Sequence, residues 1–300
     1  MGTPMFAVKI LKSLYQNGYP ISDVYTQPPQ KSQRGQKINK SPIQGIAETL
    51  NLNFRTPLSL KDNEDEFEYI KNLNADLAIV VAYGQIIPNK FLNLTKKGFI
   101  NIHASILPKW RGAAPIQRSI MNLDSEIGIS IMKIVEKLDA GPVMHQDRID
   151  INENIDTATL SNILSKIGAR SILEAIKKIG NGQAKFVDQD DTQATYAKKI
   201  SKAEAKINWD EDAKKILAKI NGLNPNPGAW FEYKNTRYKI WKAEIINQSE
   251  QFGKLINDQL TVACANRSIK ILEIQKEGKD KQLAKQFLLG NWIKKGEILV

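Results

Sequence analysis

The chain has one cysteine, Cys264, two histidines, His103 and His145, and no apolar run long enough to cross a bilayer. A single cysteine excludes a disulfide framework within the chain and suits a reducing, cytoplasmic setting. Two histidines and one cysteine are too few ligands for a His/Cys metal centre, so no metal is expected. Without a stretch of about 20 apolar residues, no membrane-spanning helix is expected. Met1-Gly2-Thr3-Pro4-Met5-Phe6 lacks the basic and apolar regions of a secretory signal, so none is expected. Aromatic residues make up only 7%, yet 42% hydrophobic and 25% charged residues are ordinary for a globular protein. A length of 300 residues is comfortable for two domains.

Positive charge is what the chain has in excess. The net charge is +11 and the pI about 9.4, which fits an anionic partner or a lysine-rich solvated surface. The last hundred residues hold 18 Lys and Arg against 12 Asp and Glu, about twice the basicity per residue of the rest. Charge therefore hints at a polyanion-binding appendage near the C-terminus.

Along the chain, apolar residues recur at helical spacing over 4–17, with Thr3 as the N-cap candidate and Pro4 at the first helical position. A short strand is expected over 21–26, then a polar loop over 27–45 carrying Lys31, Arg34, Lys37 and Lys40. Loops of that length in a compact domain are usually functional or disordered. A helix over 43–50, a strand over 53–55 and an acidic helix over 60–73 follow. Leu77 to Ala82 is apolar on both faces, which predicts a parallel sheet covered by helices. Further on, a helix is expected over 114–121, a strand over 128–135 and a capped helix over 157–179. Residues 181–206 are polar and read as a linker. Beyond a helix over 212–220, five short alternating runs separated by turn residues predict a small β-barrel, closed by a helix over 285–292. The aromatics of 230–241 are expected in its core, as is Cys264.

The chemistry concentrates in Phe99-Ile100-Asn101-Ile102-His103. In a strand, residues two apart face one side, so Asn101 and His103 project together. Ligands of open parallel sheets bind beyond the carboxyl ends of the strands. Three loops are expected there: Tyr83-Gly84-Gln85, the loop after His103, and the one at Asp139. An amide can donate to a developing oxyanion, an imidazole can carry a proton, and a carboxylate can orient that imidazole. The trio fits transfer of an acyl-type group to an amine, and a serine nucleophile is not required although Ser105 is near. Each residue has a plainer role open to it: His103 as a buried histidine bonded to backbone, Asn101 as a turn cap, Asp139 as the start of an Asp-Ala-Gly-Pro turn.

Asn101-Ile102-His103, then Ser105-Ile106-Leu107-Pro108 and Arg111-Gly112, resembles the motif of enzymes that transfer or release the formyl group of 10-formyltetrahydrofolate. Leu138-Asp139-Ala140-Gly141 is similar to the Asp-containing loop of that superfamily. Gly2-Thr3-Pro4, Thr26-Gln27-Pro28, Arg34-Gly35, Val81-Ala82-Tyr83-Gly84, the run from Trp110 to Arg118, Tyr196-Ala197 and Pro227-Gly228-Ala229-Trp230 narrow the resemblance to the methionyl-tRNA formyltransferase family.

The resemblance implies an α/β fold: a Rossmann-like parallel-sheet formyltransferase domain over 1–182, a linker over 183–205, and a small C-terminal, OB-like β-barrel that binds tRNA over 206–300. It implies transfer of formyl from 10-formyltetrahydrofolate to the amino group of initiator methionyl-tRNA for translation initiation. By position, Asn101, His103 and Asp139 are the catalytic candidates. Ser105, Ile106, Leu107 and Pro108 line the folate site, together with Tyr83 and Gly84 at the ligand end of the sheet. Arg34 reads the acceptor end of the tRNA, with Lys37 in the same basic loop. A monomer is expected. The alternatives are a formyltransferase acting on glycinamide ribonucleotide or an amino-sugar nucleotide, and a non-catalytic tRNA-binding module. The chain departs from the family pattern with Ile106 for Leu and Asn226 for Trp. It also lacks the apolar strand that usually precedes Gly2-Thr3-Pro4, so the expectation is an incomplete sheet and a start codon assigned too late.

Overall fold

The computed structural model describes residues 1–32, 37–290 and 293–299. Arg34 lies outside the described residues, as do Trp292 and the side chain of Lys37. The chain divides into two units. The first comprises Met1–Pro115, Ile127–Ile149 and Ser161–Ala197, and the second Ile116–Glu126, Asp150–Leu160 and Lys198–Val300.

In the first unit, the sheet that carries the chemistry runs in the order Ala78–Val80, Phe99–His103, Glu126–Lys133, Val143–Asp150. Ala78–Val80 pairs with Phe99–His103 in parallel, Val80 opposite Asn101. Glu126–Lys133 pairs antiparallel to Phe99–His103, with His103 opposite Ser130. The six central residues of Glu126–Lys133 are buried, as in a strand covered on both faces. Val143–Asp150 is a strand without a matching apolar pattern: Gln146, Asp147 and Arg148 fill it, which is why its sequence reads as irregular.

A second parallel pair, Val24–Tyr25 with Phe54–Arg55, lies on the other side of Met1 and Gly2. The Gly2 amide donates to the Tyr25 carbonyl at 2.9 Å, and the Met1 carbonyl accepts from the Val81 amide at 2.9 Å. The Met1 amino group donates to the Ile79 carbonyl at 2.7 Å. Beside this two-residue join lies a cavity of about 360 Å³ lined by Ile10, Leu14, Val24, Ile70, Ala78 and Phe99.

The Met5–Gln16 helix buries Ala7, Val8, Ile10, Leu11 and Leu14 on one face. Thr3 is not its N-cap. Pro4 holds that position without a side-chain bond, because the Thr3 hydroxyl instead donates to the Tyr83 carbonyl at 2.7 Å. The polar stretch after Pro28 contains an antiparallel pair, Gln30–Ser32 with Lys37–Asn39. The helix Pro42–Thr49 follows, capped by the Ser41 hydroxyl.

Glu66, on the helix Glu64–Asn72, is buried at 7% exposure between Arg55 and Tyr25. Arg55 grips it through Nε and Nη2, and the Tyr25 hydroxyl donates to it at 2.6 Å. Burial works to raise the Glu66 carboxyl, but the bonds from Arg55 and Tyr25 outweigh it and hold the group below its usual range. Stability from this network is therefore present above ~4, the ordinary carboxylate range, and is lost as pH falls through the lowered native value. Glu66→Gln should cost about 1–2 kcal/mol at pH 7 in urea unfolding, allowing for the one-third exposure of Arg55. The gap between wild type and variant should narrow at acidic pH; a gap that is constant from pH 7 to pH 3 refutes the assignment.

The second unit holds an antiparallel sheet in the order Ala229–Tyr233, Thr236–Ile246, Ser268–Lys276, Thr261–Ala263, Leu255–Asn257, with Gln282–Leu283 also on Ser268–Lys276. Phe231, Ile240, Val262, Ile271 and Ile274 of the sheet pack with Ile216, Leu217 and Ile220 of the helix Ala213–Gly222. Cys264 is buried in this core, and burial pushes its thiol up to about 12. Of the 230–241 aromatics, Phe231, Tyr233 and Tyr238 are core residues. Trp230 and Trp241 are half-buried on the alternate face of their strands, with Trp230 packed against the edge of that core. There Arg237 lies 3.9 Å from the Trp230 ring centre, Lys206 5.7 Å from it, and Lys239 5.5 Å from that of Trp241.

Candidate active site

Phe99–His103 places Asn101 and His103 on one face, as the two-residue spacing requires. His103 is buried at 6% exposure. Its Nε2 lies 2.9 Å from the Trp110 carbonyl. A carbonyl only accepts, so Nε2 is the protonated nitrogen and Nδ1 is left to face Asp139, whose Oδ2 is 3.6 Å away. The plainer role of His103, a backbone bond, is thus met at one nitrogen while the other points at a carboxylate.

Asp139 is gathered in from the loop over 134–142. Its Oδ1 accepts from Asn101 Nδ2 at 3.4 Å, and its Oδ2 accepts from the Gly112 amide at 2.8 Å. Asp139 sits at φ +48° and Trp110 at φ +60°, left-handed conformations that side chains adopt only when their surroundings impose them. Gly112, at φ +120°, needs the absence of a side chain twice over: a Cβ there would lie 2.9 Å from the Ala197 carbonyl. That close approach leaves the Gly112 N–H free to face Asp139.

The loop after His103 is braced from below. Ser105 is fully buried and its hydroxyl donates to the Lys109 carbonyl at 2.6 Å. Ser130 donates to the Ser105 carbonyl at 2.7 Å and accepts from the Leu107 amide at 3.1 Å. Gln146 reaches the Leu107 carbonyl at 2.8 Å. Leu107 is buried, whereas Ile106 and Pro108 are half-exposed. Tyr83 is buried, with its phenol pushed up by burial and its hydroxyl donating to Gln85 at 3.3 Å. Gly84 is exposed, at φ +80°, and its carbonyl accepts from Gln27. Asn101, His103 and Asp139 therefore meet in one place, while Ser105 and Tyr83 act through the shape of the loops around it.

Sequence reasoning missed Ser130, Gln146 and Gln189. Ser130 sits inside an apolar run, Gln146 in the polar strand Val143–Asp150, and Gln189 in a polar stretch whose composition predicts a linker. Part of that stretch, Tyr196–Ala197, is a strand paired in parallel with Arg111–Gly112. Among the described residues, no cluster of three or more His, Cys, Asp or Glu is arranged to hold a metal ion.

Residues 1–176 match the model of the formyl transferase family, and residues 199–291 match its C-terminal domain. A protein named methionyl-tRNA formyltransferase from Pelagibacter ubique is 58% identical over 297 residues, covering 99% of this chain and 96% of its own. Another of that name, from Caldanaerobacter subterraneus, is 39% identical over 303 residues, covering 100% and 98%. The chain belongs to the methionyl-tRNA formyltransferase family. The formyltransferase fold recurs at low identity in an N-formyltransferase from Helicobacter canadensis solved with folinic acid and dTDP-3-aminofucose. That match has a TM-score of 0.66 at 19% identity and covers 92% of this chain and 97% of that one. HypX from Aquifex aeolicus in complex with tetrahydrofolic acid has a TM-score of 0.61 at 16% identity, covering 85% and 47%.

Proposed function

We propose that this chain transfers a formyl group from 10-formyltetrahydrofolate to the amino group of initiator methionyl-tRNA, as a monomer in the cytoplasm. The observation that carries the reading is the convergence of the Asn101 amide, the His103 imidazole and the Asp139 carboxylate in a chain of this family. The donor set suits the folate: its formyl group supplies an activated carbonyl, and the nearby serine hydroxyls of Ser105 and Ser130 are buried and already committed. Transfer therefore needs no enzyme-bound acyl group. Asn101 Nδ2 donates to the oxygen on which negative charge develops. His103 takes up the amine's proton through Nδ1 as the new N–C bond forms and passes it to N10 of the departing tetrahydrofolate as the formyl–N10 bond breaks, and Asp139 faces the imidazolium in between. Ser105, Ile106, Leu107 and Pro108, with Tyr83 and Gly84, form the wall for the folate.

The tRNA half of the reading rests on charge. Arg34 and Lys37 supply the loop that meets the acceptor end. In the second unit, Arg237, Lys206 and Lys239 beside Trp230 and Trp241 make an outer face suited to a phosphate backbone. Arg34→Ala should weaken the use of methionyl-tRNA by ~10-fold in kcat/KM, the order of one lost charge-assisted contact, and leave folate binding unchanged. Equal losses toward initiator and elongator methionyl-tRNA would remove its reading role.

The deciding experiment supplies purified protein with 10-formyltetrahydrofolate and, separately, initiator methionyl-tRNA, glycinamide ribonucleotide and an amino-sugar nucleotide. Formylation of the tRNA alone is expected. Turnover on either small amine but not on the tRNA overturns the reading, and tRNA binding without turnover leaves only a binding module.

A further inference from the structure

Between Gln189 and Ala197 the chain closes over both loops that shape the site. Thr195 accepts from the Trp110 amide through Oγ1 at 2.8 Å and from the Arg111 amide through its carbonyl at 2.9 Å. The Ala197 carbonyl accepts from Ala113 at 2.9 Å and from Ala114 at 3.2 Å. These bonds hold the loop that presents the Trp110 carbonyl to His103 and the Gly112 amide to Asp139.

Gln189 links that loop to the other one. Its Oε1 accepts from Arg111 Nε at 3.0 Å and Nη2 at 2.9 Å. Its Nε2 donates to the Asp139 carbonyl at 2.9 Å and to the Gly141 carbonyl at 2.7 Å. Arg111 is 1% exposed, its Nε and Nη2 are held by Gln189, and its Nη1 forms an ion pair with Asp191 at 2.8 Å. Lys137, two residues before Asp139, pairs with the same Asp191, whose carboxyl Lys137 and Arg111 together hold below its usual range. One amide thus satisfies all four of its local bonds between a buried cation on one loop and two carbonyls of a left-handed turn on the other. Those two donations hold the Asp139 and Gly141 carbonyls, and without them the φ of +48° at Asp139 has less to impose it.

We infer that Gln189 is a positioning residue: it couples Arg111 to the Asp139–Gly141 turn and so fixes the Asp139 carboxylate against His103. The inference rests on the catalytic role proposed for Asp139. A shift of about 1 Å in a group that must meet a reacting centre lowers turnover while binding energy, made elsewhere, is kept.

The test is a double-mutant cycle read by formylation kinetics. Gln189→Glu retains an acceptor for Arg111 and loses both donations; Gln189→Met is similar in size and loses everything. Each should lower kcat by about 10-fold, with KM for methionyl-tRNA and folate affinity within about 2-fold. In an Asp139→Asn background, either substitution should cost less than about 2-fold more, because the carboxylate it positions is gone. If one variant fails to fold by circular dichroism, the other completes the cycle. Should Gln189 substitutions cost the same with and without Asp139, or cost nothing, the positioning role is overturned while the catalytic reading stands. An Asp139→Asn enzyme as active as wild type overturns the catalytic reading and this inference with it.

Discussion

His103→Ala is expected to lower kcat for formyl transfer by ~10²–10⁴-fold, the range of a lost acid–base group. The geometry says which nitrogen matters. Nε2 is occupied at 2.9 Å by a carbonyl that cannot give a proton, so proton traffic passes through Nδ1, on the side of Asp139. Removing the ring removes the proton carrier and also the bond from Nε2 to the Trp110 carbonyl. Only the first loss bears on chemistry, and two measurements separate them. His103→Gln can still donate to Trp110, so it should restore the loop without restoring turnover. Folate affinity should stay within about 2-fold in both variants if the loop over 105–108 is unmoved, since its braces come from Ser130 and Gln146 and not from His103. A loss of under threefold in His103→Ala, or activity regained in His103→Gln, would refute the assignment.

How much of this was open to sequence reasoning follows from where each interaction's partner lies. Asn101 and His103 were legible because both sit in one strand, where alternation alone puts them on one face. Asp139 was legible as a catalytic candidate in a loop at the ligand end of the sheet, with the head of a turn as its plainer role; how the turn folds back to Asn101 depends on the segment joining Glu126–Lys133 to Val143–Asp150, and the second strand is too polar to be read. Thr3 failed as a cap for the same reason: its hydroxyl has a partner eighty residues on, in Tyr83. Gln189 carried no signal at all. A polar residue in a polar stretch has no periodicity, and its worth comes from four atoms on two other loops. Trp230 and Trp241 show the reverse difference, where composition predicted full core burial and strand alternation left them half-buried on the alternate face, Trp230 still against the core.

Asp139→Ala should cost ~10²–10⁴-fold in kcat, and the conservative exchange reveals why. Two opposite charges 3.6 Å apart attract by roughly 5 kcal/mol at an effective dielectric of ~20, so losing the carboxylate's stabilisation of an imidazolium sits near the middle of that range. Asp139 also has a plainer task, since its Oδ2 accepts from the Gly112 amide at 2.8 Å and closes the turn. Asparagine keeps an oxygen for Gly112 and tolerates the left-handed backbone, but carries no charge. If charge is the point, Asp139→Asn should be nearly as slow as Asp139→Ala while melting closer to wild type. If closing the turn is the point, Asp139→Asn should recover most of the rate. The Gly112 amide offers an independent check. With alanine at 139 it has no acceptor and should exchange its hydrogen faster than in wild type, whereas in Asp139→Asn its protection should persist although turnover does not. Slow turnover together with an intact Gly112 bond is the combination that assigns Asp139 to the chemistry rather than to the turn.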